Sequence, residues 1–325
     1  MPSVAIIIRT KDRPLFLRRA LKNIAEQTFS DYSVVVVNDG GDRAQVEEII
    51  AAAQGINPVK TIHHNQPQGM EAASNAAIRA TESTYIAIHD DDDLWEPEFL
   101  AATVAELEST GEQMVAVRTD EYFEKVTDQG TFEFISSRPF WANLNDITVQ
   151  DLTRINRAVP ISLLYRRSLH DELGLYDPNL PVVGDWEFNL RVASRYRIVF
   201  INRLLAHWSQ RPDAHGSAAN SVHAGKVLHE MYDGRVRAQA IRDDLARNEN
   251  LGAYLFGAHL ANQVDGSVGH NIDLTHRVLE ELNAIKVKLD QLENTTRLTS
   301  ERLDRVEKAL SLKVRLQRFL KGTRS

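Results

Sequence analysis

The chain has 325 residues, of which 43% are hydrophobic and 26% charged, and its formal net charge is −7 with a pI near 5.9. This composition is typical of a soluble globular protein that is long enough for a full-sized core and an accessory region. The acidic balance argues against nucleic acid as a partner, and the absence of cysteine excludes disulfides, thiol nucleophiles and thiolate zinc sites.

The N-terminal segment, Met1 to Val4, lacks the charged leader and long apolar stretch of a secretory signal. No window of the sequence reaches the ~18 apolar residues that a membrane span needs. We therefore expect a cytoplasmic protein.

The N-terminal third alternates short apolar runs with amphipathic segments. The apolar runs predict four strands: Val4 to Ile8, Tyr32 to Val37, Val59 to Ile62 and Thr84 to Ile88. The amphipathic segments predict four helices: Pro14 to Glu26, Asp42 to Ala53, Gly69 to Ala80 and Pro97 to Glu108. This alternation predicts an α/β fold with a mainly parallel sheet and helices on both faces.

Polar segments follow three of these strands: Arg9 to Arg13, Asn38 to Gly41, and the four consecutive aspartates Asp90 to Asp93. In open parallel sheets, ligands bind beyond the carboxyl ends of the strands. Adjacent carboxylates repel one another by roughly several kcal/mol at an effective dielectric of ~20, so the acidic run needs a positive partner. Mg²⁺ or Mn²⁺ shared with phosphate oxygens is the main candidate. The alternative is a solvated acidic turn ahead of the helix that Pro97 starts.

The middle of the chain, from Met114 to Arg211, has a more mixed pattern. Short strands are predicted at Met114 to Val117 and Arg197 to Ile201, with loops around Ser136 to Asn145. We expect this part to supply the acceptor side of a site.

The sequence beyond Ser217 is predicted to be helical, first from Val222 to Asn248. A seam of positions spaced alternately four and three apart then follows: Val278, Leu282, Ile285, Leu289, Leu292, Thr296, Thr299, Leu303, Val306 and Leu310. This heptad pattern predicts a coiled coil that joins chains in a homo-oligomer, or a long helical hairpin that packs on its own chain. The predicted domains are residues 1–217, 218–270 and 271–325.

The last segment, Ser311 to Ser325, carries five basic residues and no acid, interleaved with apolar side chains. This pattern is typical of a helix that lies on an anionic bilayer surface, which would place the protein at the inner face of the cell membrane. A solvated end of the coiled coil is the alternative.

Three phrases occur in an order that resembles family 2 glycosyltransferases of the GT-A fold. They are VAIIIRTKDRPLFLRRALKNIAEQTFSDYSVVVVNDGGD, QGMEAASNAAIRATESTYIAIHDDDDLWEPEFL, and YRRSLHDELGLYD followed by VVGDWEFNLRVA. The resemblance runs from about Val4 to Ser217, with spacing similar to the subgroup that includes the spore-coat polysaccharide glycosyltransferase. It implies a Rossmann-like GT-A domain and inverting, metal-dependent transfer from a UDP- or dTDP-sugar. The acceptor it implies is a hydroxyl of a glycan or lipid-linked molecule in polysaccharide biosynthesis.

Carried onto this sequence, the resemblance implies a role for the polar side chains at the strand ends. Asp39 would accept a hydrogen bond from the imide of uracil or thymine, and Arg9 would lie beside the nucleotide sugar. Asp90 and Asp91 fall in the DXD region and would bind the nucleotide sugar. Asp92, together with Asp90, would hold Mn²⁺ or Mg²⁺.

The resemblance also assigns residues outside the donor side. Asp185 falls on the position of the catalytic base, and Trp186 beside it would stack on a sugar. Asp93 would orient the loop, and His215 would approach the diphosphate or the metal, with His207 a weaker candidate. From the residues alone, Asp185 also fits a helix N-cap, and His215 a surface histidine.

Three positions depart from the family pattern. Asn38 replaces a more usual aspartate, Arg9 stands where a small polar residue is commoner, and Gly184 stands where many members have glutamate. These departures leave the base selectivity open.

Two further functions remain as alternatives. A sugar nucleotidyltransferase has a similar architecture, but the loop Arg9 to Pro14 lacks the glycines that cradle a triphosphate. A non-catalytic nucleotide-binding scaffold oligomerised by the coiled coil is the other alternative. A processive membrane synthase is disfavoured, because no span is predicted and no QxxRW-like phrase follows Asp185.

Overall fold

The computed structural model describes residues 2–56, 58–220, 225–248 and 251–322, with the side chains of the last range described only in part. Within these ranges the strands are β1 (Val4–Thr10), β2 (Tyr32–Asp39), β3 (Val59–His64), β4 (Tyr85–Ile88), β5 (Leu94–Trp95), β6 (Met114–Val126), β7 (Phe132–Pro139), β8 (Leu163–Arg166) and β9 (Ile198–Gln210).

The helices of the same ranges are α1 (Pro14–Ala25), α2 (Arg43–Ala52), α3 (Met70–Arg79), α4 (Phe99–Thr110), α5 (Val149–Arg154), α6 (Ser168–Leu173), α7 (Gly184–Ala193), α8 (Lys226–Asn248) and α9 (Leu251–Gly322). Short 3₁₀ turns lie at Pro160–Ser162 and Gly216–Ala218. The four strands and four helices predicted for the N-terminal third are confirmed, with ends that differ by at most two residues.

The strands form one sheet in the order β3-β2-β1-β4-β8-β6-β9-β5, with β7 added to β6. The first four strands are parallel, and Ile7 of β1 pairs with Val35 of β2 and Ile88 of β4. β8 is antiparallel to both β4 and β6, while β6 and β9 are parallel. The α/β fold is confirmed, but only the first half of the sheet is parallel throughout, so the sheet as a whole is mixed.

Apolar side chains cover both faces of the parallel strands. Ile6 and Ile8 of β1 pack on one face with Leu17 and Leu21 of α1, whereas Ile7 packs on the other face. Burial on both faces explains why these strands read as continuous apolar runs in the sequence. Each fully buried side chain of this size stabilises the fold by roughly 1.5–3 kcal/mol. The core therefore fixes where the strand ends lie.

Strands β6 and β9 each have 13 residues, much longer than the predicted strands at Met114 to Val117 and Arg197 to Ile201. The far half of β6 carries acids that are satisfied by ion pairs, such as Asp120 with His207. These charges interrupt the apolar pattern that signals a strand. The loop predicted around Ser136 to Asn145 is wrong in its first part, because Ser136 to Pro139 belong to the exposed strand β7.

The chain divides into two compact units, Met1–Ala240 and Ile241–Ser325. This boundary lies inside α8, and the predicted domain limits stay predictions. The predicted helix Val222 to Asn248 is observed from Lys226, and residues 221–224 lie outside the described residues.

Helix α9 has 72 residues and contains the predicted heptad seam. The described apolar side chains of the seam, such as Leu282, Leu289 and Leu303, are 53–62% exposed. The coiled coil and the long helical hairpin both stay predictions. The side chain of Leu310 lies outside the described side chains. The same holds for the basic side chains of Ser311 to Ser325, with the exception of Lys313. None of the described helices combines the length and apolar character needed to cross a membrane.

Candidate active site

The ends of β1, β2 and β4 meet at one edge of the sheet and border a cavity of about 390 Å³, which we call the aspartate cavity. Its lining includes Arg9 from β1, Asp39 from β2 and the whole aspartate run Asp90 to Asp93. Because β1 pairs in parallel with both neighbours, these polar ends lie side by side. The structure thus brings together the three polar segments that the sequence placed at strand ends.

Arginine side chains pair with the first two aspartates of the run. Arg9 donates from Nε to Asp90 Oδ1 at 2.8 Å and from Nη2 to Asp90 Oδ2 at 2.7 Å, a bidentate contact. Asp91 accepts from Thr10 Oγ1 at 2.7 Å and from Arg13 Nη1 at 2.6 Å. Bidentate pairs of this kind are strong and fix the orientation of both groups.

Asp92 is the centre of a buried charge network. Its Oδ2 accepts from Arg13 Nη2 at 3.0 Å, from Arg211 Nη2, and from Asn220 Nδ2 at 3.3 Å. Arg211 also donates to Glu124 Oε1 at 2.7 Å. The positive partners that the acidic run needs are therefore arginines of the protein itself. The need for a positive partner is confirmed, and these arginines meet it without a metal, although the site remains compatible with one.

The carboxyl groups of Asp91, Asp92 and Asp93 differ in how readily they ionise. Burial raises the pKa of Asp91 to about 7, with Arg13 opposing the effect. Although burial also acts on Asp92, Arg13 and Arg211 hold its pKa below the ordinary value. Burial and the charge of Asp92 raise the pKa of Asp93 well above its usual range, and Asp93 Oδ1 accepts from the Ser209 amide at 2.9 Å. Asp92 is thus held in its ionised form, whereas Asp93 ties the loop to β9.

Asp39 is held by the turn that leads into α3. Its Oδ1 accepts from the Gln68 amide at 2.8 Å and contacts His64 Nδ1 at 2.7 Å, and its Oδ2 accepts from the Gly69 amide at 2.9 Å. Gly69 has φ of 98°, a conformation that favours glycine. This turn fixes the Asp39 carboxylate at the edge of the aspartate cavity.

Asn38, a departure from the family pattern, is fully buried beside this turn. Its amide accepts from the Gly41 nitrogen at 3.0 Å and donates to the Gly41 carbonyl at 2.9 Å. A neutral amide can make both bonds, whereas an aspartate would bring an uncompensated charge into the core.

The aspartate cavity offers few protein ligands to a metal. Asp90 and Asp92 line it, and the three side chains that hydrogen-bond to the Asp92 carboxylate, those of Arg13, Arg211 and Asn220, all do so through Oδ2. Among the described residues there is no group of three or more His, Asp or Glu side chains arranged as a metal site. Mg²⁺ and Mn²⁺ commonly take one or two carboxylates and complete their shell with water and substrate phosphates, so this donor set fits them.

Neither histidine candidate joins these ligands. His215 is exposed and does not line the aspartate cavity. Both ring nitrogens of His207 are engaged by acids, Nδ1 with Asp120 at 2.6 Å and Nε2 with Glu96 at 2.8 Å. The predicted metal role of His215 is therefore not supported by its position.

Asp185 lies in the wall of a second cavity of about 560 Å³, which we call the Asp185 cavity. The two cavities share Arg9, Met70, Asp90 and Trp208 in their lining. Asn156 Nδ2 donates to Asp185 Oδ2 at 2.8 Å, and burial raises the pKa of the carboxyl group. Because Asp185 is the second residue of α7 and Val183 precedes the helix as its N-cap, the N-cap interpretation of Asp185 is wrong.

Glu71 is a site residue that the sequence did not reveal. It lies in the first turn of α3, is only 4% exposed, and accepts from Arg9 Nη1 at 3.2 Å and from the Gly184 amide. A Cβ added at Gly184 would lie 2.6 Å from Glu71 Cδ, so the close approach requires glycine there. Burial raises the pKa of Glu71 to about 7. An acid in the first turn of a helix is common for electrostatic reasons, so its pattern carries no signal of a site.

Trp186 does not present a stacking face. It is 2% exposed, its Nε1 donates to the Leu152 carbonyl at 2.7 Å, and the Arg237 guanidinium lies 4.8 Å from its ring. Consecutive helical residues point about 100° apart, so a helix that turns Asp185 toward the cavity turns Trp186 into the core. The partly exposed aromatic side chains that line this cavity are instead Phe140, Trp141 and Trp208.

Comparison with known proteins places residues 5–174 in the profile of Glycosyl transferase family 2. The uncharacterized glycosyltransferase YwdF of Bacillus subtilis is 29% identical over 195 residues, 60% of this chain and 69% of that protein. The PGL/p-HBAD biosynthesis glycosyltransferase of Mycobacterium bovis is 26% identical over 200 residues, 61% of this chain and 72% of that protein. Asp185 lies beyond the segment that the profile matches.

Two solved structures have a similar fold. S. aureus TarS in complex with UDP has a TM-score of 0.51 at 16% identity, covering 78% of this chain and 75% of that one. The mannosyltransferase PcManGT of Pyrobaculum calidifontis, in complex with GDP-Man and Mn²⁺, has a TM-score of 0.52 at 17% identity, covering 81% of each chain. At these identities the likeness shows the fold alone, and it confirms the GT-A type that the sequence predicted.

Proposed function

The chain belongs to glycosyl transferase family 2, and we propose that it is an inverting, metal-dependent transferase acting on a UDP- or dTDP-sugar. Its acceptor would be a hydroxyl of a glycan or lipid-linked molecule in polysaccharide biosynthesis. The observation that carries the proposal is that the cavity lined by the aspartate run and the cavity lined by Asp185 share Arg9, Met70, Asp90 and Trp208. Family membership favours this function over the nucleotidyltransferase and scaffold alternatives.

The donor would occupy the aspartate cavity. Asp39, held by two backbone amides, is suited to accept the imide hydrogen of uracil or thymine. TarS was crystallised with UDP and UDP-GlcNAc, and PcManGT with GDP-Man, so similar folds bind nucleotide sugars with different bases. Our choice of a pyrimidine rests on Asp39.

Asp92 and Asp90 would hold the divalent cation, which when bound would neutralise charge on the leaving diphosphate as a Lewis acid. Mn²⁺ in the complex of PcManGT supports a divalent cation in this fold. Arg13 and Arg211 keep Asp92 ionised, the form that a cation needs. Arg9, locked onto Asp90, would fix the carboxylate at the border of the two cavities.

Asp185 would accept the proton of the attacking hydroxyl. As the bond from the acceptor oxygen to the anomeric carbon forms, the bond to the diphosphate oxygen breaks on the opposite face, which inverts the centre. The elevated pKa of Asp185 brings the base nearer to the operating pH, and Asn156 fixes its orientation. Direct displacement requires no carboxylate nucleophile, in contrast to a retaining hydrolase.

The test is a screen of nucleotide sugars with Mn²⁺, read out by released nucleotide, with and without acceptors. We expect UDP or dTDP release, and we expect Asp185→Asn to lower transfer about 10²–10⁴-fold while donor affinity stays unchanged. Asp171→Asn is the matched control, because Asp171 lies in the first turn of α6 and is exposed. Normal turnover by the Asp185 variant would remove this residue from the role of base.

A further inference from the structure

The Asp185 cavity has an apolar wall beside its carboxylates. Six of the apolar side chains that line it are Phe140, Trp141, Ile155, Val159, Val183 and Trp208. The Phe140 ring packs against both tryptophans, with centroid distances of 5.4 Å to Trp141 and 5.2 Å to Trp208. These three rings form a continuous surface, the aromatic wall, which begins at the border with the aspartate cavity.

Two residues of this cavity hold strained backbone conformations. Trp141 has φ of 56° and Val183 has φ of 60°, values that are unfavourable for bulky or β-branched residues. Trp141 is fixed by a hydrogen bond from Nε1 to the Asn156 carbonyl at 3.2 Å and by the Arg157 guanidinium, 4.1 Å from its ring centroid. Such strain persists where the surroundings enforce it, typically at ligand sites.

The charges of the Asp185 cavity are mostly negative. Its acidic lining residues are Glu71, Asp90, Asp185, Glu230 and Asp233. Among the described residues that line it, Arg9 is the one permanent cation, and both Asp90 and Glu71 already engage its guanidinium. A phosphate placed here would face like charges, so the cavity favours a neutral ligand.

One polar group in the lining has no partner within the described residues. His229 Nε2 is buried without a hydrogen bond, and His229 lies close enough to Asp185 for the carboxylate to affect its pKa. A buried polar atom that lacks a partner is costly, and a ligand hydroxyl would satisfy it. This atom and the Asp185 carboxylate are therefore polar groups that line the same cavity as the aromatic wall.

From these features we propose that the acceptor is a neutral glycoside with an aromatic or alkyl aglycone. The aglycone lies on the aromatic wall, a sugar hydroxyl reaches Asp185, and a neighbouring hydroxyl bonds to His229. The inference rests on the proposed function, because it names the acceptor class of the same reaction. It excludes acceptors whose phosphate lies next to the reacting sugar.

The test compares acceptors at a saturating concentration of the donor that the nucleotide-sugar screen identifies. The probes are p-nitrophenyl, octyl and methyl glycosides of the same sugars, together with the corresponding sugar 1-phosphates. We expect KM to be about tenfold lower for the p-nitrophenyl and octyl glycosides than for the methyl glycosides, because aromatic surfaces add packing energy to a ligand. The sugar 1-phosphates should be the poorest acceptors.

Variants assign the effect to the aromatic wall. Trp141→Ala should raise KM for the p-nitrophenyl glycosides about tenfold and leave KM for the methyl glycosides unchanged, while Trp141→Phe should retain most of the preference. Phe134→Ala is the control, since Phe134 lies on β7, is 53% exposed and does not line the cavity. Binding is measured separately by quenching of tryptophan fluorescence, which does not depend on transfer.

The outcomes separate this inference from the proposed function. Equal KM values for methyl and p-nitrophenyl glycosides, or a preference for sugar 1-phosphates, would overturn the inference. If the donor is still turned over in that case, the proposed function stands. Failure to bind any nucleotide sugar in the presence of Mn²⁺ would overturn both. Selective loss of p-nitrophenyl glycoside binding in Trp141→Ala, with unchanged donor affinity, would support the inference.

Discussion

The aspartate cavity and the Asp185 cavity meet at Arg9 and Asp90 but are built in different ways. The first is formed by the ends of parallel strands, and its acids are paired with arginines. The second is formed by segments that are far apart in sequence. Its lining contains the aromatic wall, two residues with strained backbone conformations, and more acidic than basic side chains. The difference indicates that charge on the donor side is balanced before any ligand binds, whereas the acceptor side is shaped for a neutral group.

The first test of this difference removes a cation from the charge network of the aspartate cavity. Arg211→Ala should lower the free energy of unfolding by about 3–5 kcal/mol, because it leaves Asp92 and Glu124 buried without their shared cation. Chemical denaturation measures this change. Arg203→Ala is the control, because Arg203 is half exposed and its ion pair with Glu98 is long, at 3.9 Å. A loss below about 1 kcal/mol for Arg211→Ala would mean that the network does not balance the buried acids.

The second test changes Gly184, which lies next to Asp185 and against the Glu71 side chain. Gly184→Ala should destabilise the protein by about 3 kcal/mol and displace Asp185, because the new methyl group overlaps the Glu71 side chain. The double variant Glu71→Ala with Gly184→Ala should regain part of the stability and transfer rate, a coupling that a double-mutant cycle measures. Gly234→Ala in α8 is the control, since a Cβ there meets nothing within 4 Å. Additive effects of the two changes would contradict the proposed contact.

The third test measures how the contribution of Glu71 to stability depends on pH. Burial raises the pKa of Glu71 to about 7 in the folded state, above the value of ~4.3 in the unfolded state. The folded state therefore binds the proton more tightly. The resulting contribution of Glu71 to stability is fully present below pH ~4.3 and is lost as the pH rises to about 7. Glu71→Gln removes this dependence. The variant should gain roughly 2 kcal/mol relative to the wild type between about pH 5 and 7, as measured by urea unfolding.

The control for this pH series is Glu48→Gln, because Glu48 of α2 is exposed. Its difference from the wild type should stay constant over the same range. A constant difference for Glu71→Gln as well would show that Glu71 does not hold its proton in the folded state.

The smallest effect on either cavity is expected from the C-terminal helix. Leu289→Asp should dissociate the predicted coiled-coil oligomer, since Leu289 is a seam position and is 53% exposed in the single chain. Transfer should stay unchanged, because the residues lining both cavities belong to Met1–Ala240. Light scattering reports the mass and released nucleotide reports the activity. An unchanged mass would reject the seam as the oligomer interface.

The sequence predicted the donor side of the site better than the acceptor side. Apolar runs locate β1, β2 and β4, and parallel strands necessarily bring their carboxyl ends together, so Asp39 and the run Asp90 to Asp93 could be placed. The pairing of Arg211 with Asp92 could not, because 119 residues separate the partners and no local pattern links them. The role of Arg211 therefore appeared only in the structure.

On the acceptor side, local patterns were misleading or silent. Trp186 follows the predicted base, yet it is 2% exposed and packs into the core, so it offers no face for stacking. Glu71 resembles an ordinary acid in a first helical turn, and the positive φ of Trp141 and Val183 arises from tertiary packing. These features depend on contacts between distant segments, which a periodic pattern does not encode.

The most direct test of the central claim is a crystal structure of the protein with UDP and Mn²⁺. The account predicts the uracil at Asp39, the diphosphate beside Asp92, and the phosphate that would carry the sugar directed toward the border with the Asp185 cavity. An aspartate cavity without nucleotide, or a diphosphate directed away from Asp185, would contradict the claim that the two cavities form one site for sugar transfer.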